Sequence, residues 1–164
     1  MPPPRFRGIF VILGIALIFC AMAVIFFVAL KKRDRLEVCR MNLHYLWMET
    51  GTASPADEQR WDDVPTGGAF WTGYLKWPSR TVRPIRQSHL LCPVLAPVKY
   101  RTGTDYRGPA KSYRLLDAGD PVGADAPGNH GAAEGGTVVL KSGALFVVKP
   151  ADPLWARAAE TTSR

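Results

Sequence analysis

The 164-residue chain lacks the short patterns that usually carry chemistry. It has no Cys-x-x-Cys, no Cys-x-x-Cys-His, no zinc-ligand spacing, no phosphate-binding loop, no nucleophile elbow and no placed carboxylate pair. Each of those patterns supplies a defined reacting or ligating group. Without them the expectation is a protein that is not an enzyme, with no catalytic residue, no metal and no bound cofactor. Internal repeats are absent as well, which excludes solenoid and propeller architectures. Cysteine is scarce, at three residues.

Charge is missing from one stretch altogether. Residues 9–30 read IFVILGIALIFCAMAVIFFVAL, with no charged residue, proline, serine, asparagine or glutamine in twenty-two positions. A helix of that length covers ~33 Å, against ~30 Å of bilayer hydrocarbon. So small a protein cannot enclose a helix that is apolar all round, so the stretch is expected to span a membrane. It exceeds the ~7–15-residue apolar region of a signal peptide, and no A-x-A site follows. The segment is therefore read as a retained anchor whose first partner is the lipid bilayer.

The net charge of +7 follows from that anchor. Residues 1–35 hold six Lys/Arg (Arg5, Arg7, Lys31, Lys32, Arg33, Arg35) and one acid, Asp34, and the rest of the chain is close to neutral. Flanking cations of this kind meet lipid headgroups. No basic patch with interleaved aromatics is visible, so no nucleic-acid partner is expected.

Beyond the apolar run, Lys31 to Thr50 contains neither Gly nor Pro. Leu36, Cys39, Leu43, Leu46 and Trp47 mark one helical face, while Arg35, Glu37, Arg40, Asn42 and Glu49 fall largely elsewhere. Ile9 to Glu49 thus reads as one helix, half in lipid and half the amphipathic spine of a soluble domain, with Gly51 as its stop. Four segments result: a short basic cytoplasmic leader (1–8), a transmembrane helix (9–30), a helical stem (31–50) and a small domain (51–164).

Within that domain, residues 51–67 are loop-like. The acids Asp57, Glu58, Asp62 and Asp63 there read as a solvated cluster, and Pro55 to Gln59 as a short helical turn. Phe70, Trp71, Tyr74 and Trp77 are expected to pack on the spine, with an exposed partner patch as the alternative. Residues 81–92 read as irregular, because Pro84, Pro93 and Pro97 disfavour a central strand. Residues 98–107 and 112–116 are candidate strands. The run 117–136 holds six glycines and two prolines and is expected to contain no regular element. Thr137–Leu140 and Ala144–Val148 flank a tight turn at Ser142-Gly143 and read as a hairpin. Asp152 and Pro153 supply an N-cap and first residue for a short closing helix. The fold class is α+β: a long N-terminal helix packed on a small antiparallel β-sheet. Cys39 and Cys92, outside the apolar run, suggest a disulfide provided the domain faces an oxidising compartment.

This order resembles the bacterial type IV pilin and type II secretion pseudopilin superfamily. In particular it resembles the group with a Cys-x-x-Asn-Leu stem motif and a C-terminal Asn-His-Gly…Asp-Gly motif. Cys39-Arg40-Met41-Asn42-Leu43 matches the first, Cys92-Pro93 a mid-chain Cys-Pro, and Asn129-His130-Gly131 with the turn at Gly143 the last. The resemblance implies a processing site at Gly8-Ile9. It also implies a pilin-like fold and contacts with pilin or pseudopilin subunits through the membrane helix. The chain departs from the pattern in three places. Leu13 stands where the family carries Glu, Ser142 replaces the Asp of Asp-Gly, and the loop after His130 is about two residues longer. Asn42 is expected to reach a backbone group of the facing loop, and Asn129-His130-Gly131 to buttress the hairpin. Lone histidines His44 and His89 read as structural. Asp117, Asp120 and Asp125 sit in a Gly-rich run where clustered oxygens offer calcium binding as an alternative, although the spacing fits no defined calcium loop.

Orientation is contested within the sequence. The cations Lys31, Lys32, Arg33, Arg35 and Arg40 outnumber Arg5 and Arg7, which favours a cytoplasmic domain. The family resemblance and the two cysteines favour the periplasmic side of the inner membrane, and that is the expectation adopted. The functional expectation is a pilin-like minor subunit or assembly partner of a secretion or pilus-type system. The alternative is a single-pass envelope protein whose domain binds a ligand or partner without filament assembly.

Overall fold

The computed structural model describes residues 4–51, 64–74, 85–95, 103–130 and 135–158. Helix α1 runs Pro4–Gly51, α2 Gly68–Tyr74 and α3 Pro153–Arg157. The strands are β1 (Tyr106–Arg107), β2 (Pro121–Asp125), β3 (Gly136–Leu140) and β4 (Leu145–Val148). The chain divides into two compact units, Met1–Arg35 and Leu36–Arg164. The protein is therefore α+β, with a long N-terminal apolar helix and a small antiparallel sheet.

The first unit is helical from Pro4. Residues 4–8, within the leader expected at 1–8, form the first turns of this helix. Proline is tolerated in a first turn, where its missing N–H would be unpaired anyway. From Phe10 onward the helix is long and apolar enough to cross a membrane. Its large apolar side chains, Phe10, Ile18 and Phe27 among them, are exposed within the chain.

In the second unit, the end of α1 supplies one wall of the core. Cys39, Leu43 and Leu46 are fully buried, as their spacing predicts, while Val38, Met41 and Met48 are exposed. Leu43 and Leu46 pack with Phe70 and Trp71 of α2, with Leu90, and with Tyr106, Val122 and Val139 of the sheet. Full burial of a leucine side chain contributes about 1.5–3 kcal/mol. Glu49 departs from its expected solvent face and is buried. It lies close enough to His89 to act on that residue's charge. The Thr50 hydroxyl donates back to the Trp47 carbonyl at 2.7 Å, a local bond that competes with helix continuation near Gly51.

The sheet is an antiparallel meander, β1-β2-β3-β4. The expected hairpin is β3–β4, with Gly143 at φ +89 in the turn. The run 117–136 corrects the expectation: it contains β2, every residue of which is buried. Pro121 is the first residue of that strand, where proline is tolerated. A register shift between Pro121 and Gly123 adds one residue to β2, as in a β-bulge. Gly123 then approaches the helix-side core so closely that a Cβ there would lie 2.7 Å from the Trp71 ring. The opposite side of the sheet is also covered: Ala124, Val138 and Val148 pack with Trp155 and Ala158. A strand covered on both sides shows no polar alternation, which is why glycine and proline dominated its appearance in the sequence.

Other expectations are narrowed. Of 98–107 only Tyr106–Arg107 is a strand among the described residues, and 112–116 forms a 3₁₀ turn over Tyr113–Leu115 in place of a strand. A short 3₁₀ turn over Gln87–Leu90 occupies the segment read as irregular. Asp152 caps α3 by accepting from the Leu154 N–H at 2.8 Å, with Pro153 following as expected. Phe70 and Trp71 join the core. The Tyr74 side chain, Trp77 and the acids Asp57, Glu58, Asp62 and Asp63 lie outside the described residues.

The hairpin turn docks on α1. Trp47 Nε1 donates to the Lys141 carbonyl at 3.0 Å, and a Cβ on Gly143 would overlap the Trp47 ring. Gly143→Ala is therefore expected to destabilise the domain by about 1–3 kcal/mol, from strain and overpacking together. Gly119→Ala, with open space around it, is expected to be near neutral. Thermal unfolding followed by near-UV circular dichroism of the two detergent-solubilised variants checks the difference.

Candidate functional site

The motif residues converge on one buried node. Cys39 on α1 and Cys92 after the Gln87–Leu90 turn form a disulfide, with Cα atoms 5.5 Å apart, inside the usual range for such a bond. The bond closes a loop with a sequence separation of 53 and contributes about 2–4 kcal/mol in the loop-entropy account. Asn42, one turn on from Cys39, directs its amide toward the Leu91 carbonyl at 3.5 Å, a long contact. Leu43 of the same motif is a core residue.

Asp105, which the sequence reading did not single out, organises the segment around Cys92. Its Oδ2 accepts from the Cys92 N–H at 2.8 Å, and its own N–H donates to the Leu90 carbonyl at 2.9 Å. Its carbonyl accepts from the Ala126 N–H at 2.9 Å and from Asn129 Nδ2 at 2.7 Å. Asn129 thus fastens the turn after β2 to the approach of β1. Of the trio expected to buttress the hairpin, Asn129 thus reaches backward in sequence.

His130 belongs to the same turn. Its Nε2 lies 3.0 Å from Asp125 Oδ2, with both side chains almost fully buried. The same Oδ2 accepts from the Thr137 N–H at 2.7 Å, so Asp125 links the histidine to the start of β3. An imidazole nitrogen of His130 and the two sulfurs all lie within 4.8 Å of one another. Beside this node, Arg107 is buried with its guanidinium 3.9 Å from the Trp155 ring centroid. Its Nε donates to the Asp125 carbonyl at 3.1 Å. Gly131 lies outside the described residues. Gly8 and Ile9 lie within α1.

The three aspartates weighed for calcium do not gather. Asp125 is committed to His130 and Thr137. Asp120 takes Lys111 at 2.8 Å and also pairs with Arg157. The Lys111 hydrogen bond is the main cause that holds its carboxyl at about 2. Among the described residues, Cys39, Cys92 and His130 are the group of metal-ligating side chains that share one point. The other two histidines are peripheral. His44 stacks on Trp47 with centroids 5.4 Å apart. His89 meets Tyr45 edge-on and accepts from the Arg86 N–H at 3.2 Å through Nδ1. Chemically the node cross-links α1 to the sheet and its approach segments. The chain matches no protein-family model, no curated protein and no solved structure.

Two outcomes follow. Asn129→Ala removes one of the two hydrogen bonds to the Asp105 carbonyl and is expected to cost about 0.5–1.5 kcal/mol, read as a lowered unfolding midpoint in denaturant. His89 is held below its ordinary 6.5, first by burial and then by Arg86, with Glu49 opposing. Between that lowered value and 6.5 the unfolded chain binds more protons, so stability falls as pH drops through this window. The melting temperature of the wild type is expected to fall more than that of His89→Gln between about pH 8 and about pH 5.

Proposed function

We propose that this protein is a membrane-anchored, pilin-like, non-enzymatic subunit. In this reading it serves as a minor component or assembly partner of a type II secretion or type IV pilus-type system. The observation that carries the reading is the convergence of the family-like motif residues. Cys39 and Asn42 on the stem, Cys92 at mid-chain and Asn129-His130 near the C-terminus are far apart in sequence and adjoin one buried node. A second support is the use made of α1, which supplies an apolar stretch exposed within the chain and then the core wall of the domain.

The mechanism has two parts. Residues 9–30 lie in the inner membrane and pack laterally on pilin or pseudopilin helices, Gly14, Ala16, Ala21 and Ala23 being small enough for close approach. The domain stands on the periplasmic side, where an oxidising environment maintains the disulfide. Leu13, in place of the family's glutamate, favours the second reading: a single-pass envelope protein that binds its partner without entering a filament.

The readings separate at the N-terminus. A mature chain beginning at Ile9, by mass spectrometry of the membrane fraction, is expected for the subunit; an intact start at Met1 supports the simple anchor. For orientation, Ser142→Cys in the exposed hairpin turn is expected to react with a membrane-impermeant maleimide in spheroplasts. Reaction only after lysis would place the domain in the cytoplasm and overturn the periplasmic assignment.

A further inference from the structure

The buried node has one group that the disulfide does not use. His130 donates through Nε2 to Asp125 Oδ2 at 3.0 Å, which fixes the tautomer and leaves Nδ1 as a lone-pair donor. That Nδ1 is buried and has no partner among the described residues. A buried acceptor without a partner carries a desolvation cost that a ligand would relieve. The two sulfurs and an imidazole nitrogen already lie within 4.8 Å of one another. Tetrahedral zinc, with ligands at about 2.0–2.3 Å, needs neighbouring ligand atoms about 3.4–3.8 Å apart. Reduction frees the two bonded sulfurs to separate to that spacing, and the imidazole nitrogen then needs to close by about 1 Å.

We propose that the reduced chain binds one zinc ion through Cys39, Cys92 and His130, with Asp125 as the positioning residue behind the imidazole. Two thiolates and one imidazole form a set suited to zinc, and a carboxylate behind a ligating histidine is the usual orienting partner. Reduction of the Cys39–Cys92 bond by a dithiol transfers two electrons and two protons, leaving two thiols and converting the dithiol to its own disulfide. Zinc binding then releases the two thiol protons to solvent, and a water fills the fourth position. The node thus has two closed states, a disulfide under oxidising conditions and a metal-bridged form under reducing ones, each tying α1 to the segment around Cys92. The ligands come from three distant stretches of chain, so no local spacing announces them. The proposal does not depend on whether the protein enters a filament.

Full-length protein in detergent micelles, reduced with a phosphine under argon, is titrated with Co²⁺ and then with Zn²⁺ against a chromophoric chelator. One ion per chain and a thiolate-to-cobalt absorption band are expected, both absent from the oxidised chain. Cys92→Ser and His130→Gln are expected to weaken zinc binding at least about tenfold, Asp125→Asn by about 10–100-fold, and Cys20→Ser not at all. Because His130→Gln keeps the disulfide, its fold is compared with wild type in the oxidised state. Should a variant misfold, the wild type decides: zinc is expected to slow alkylation of Cys39 and Cys92 in the reduced chain and leave Cys20 unaffected. Absence of the cobalt band, unchanged affinity in a folded His130→Gln chain, or unprotected Cys39 and Cys92 overturns the proposal.

Discussion

The second compact unit depends on the burial of one stripe of α1. Cys39, Leu43 and Leu46 have no exposed surface, and residues from α2, the Gln87–Leu90 turn and three strands pack with the two leucines. The sheet alone could not supply this core. Its β1 is two residues long, and β4 leaves Phe146 and Val147 exposed. The helix provides a surface that the sheet needs, and the sheet turns the stem from an amphipathic segment into an interior element. Polar groups then fix the arrangement where shape alone does not. Trp47 reaches the Lys141 carbonyl, Trp71 reaches the Arg107 carbonyl at 3.0 Å, and Lys141 reaches the Leu116 carbonyl at 2.7 Å.

Helices α1 and α3 were legible in the sequence, because their signals are local; α2 was not, because its aromatic run carries no cap or spacing that marks a helix. The absence of Gly and Pro with a 3–4 spacing marked the stem stripe, and a cap residue before proline marked α3. The β3–β4 hairpin was legible from two apolar arms and a turn glycine. Strand β2 was not, since its identity comes from what surrounds it: Trp71 fills the space that Gly123 leaves, and Trp155 covers the other side. Glu49 misled for a related reason, because an acid on a helical wheel carries no sign of the His89 segment that approaches it. In the node, the cysteines and motif residues were visible singly. Asp105 and Asp125 were not, because a carboxylate that serves backbone N–H groups at Cys92 and Thr137 leaves no pattern in its neighbours.

Electrostatics follow the same division between local and long-range. The basic cluster of residues 31–35 sits beside the apolar run. The charges inside the domain are engaged individually: Asp120 by Lys111 and Arg157, Asp125 by His130, and Arg107 by two carbonyls and the Trp155 ring. The excess positive charge is thus a property of the N-terminal 35 residues, and the rest of the chain is close to neutral.

The chain positions of these parts bear on biosynthesis. Every described strand lies C-terminal to Cys92, so both disulfide cysteines leave the ribosome before the first residue of the sheet. Chains are made from the N-terminus at about 5–20 residues per second. The helix and the Cys92 segment are therefore made seconds before β1 to β4, Asp125 and His130 exist to hold them. Any pairing at that moment would involve a half-made domain, and the meander would then close over a cross-link already in place.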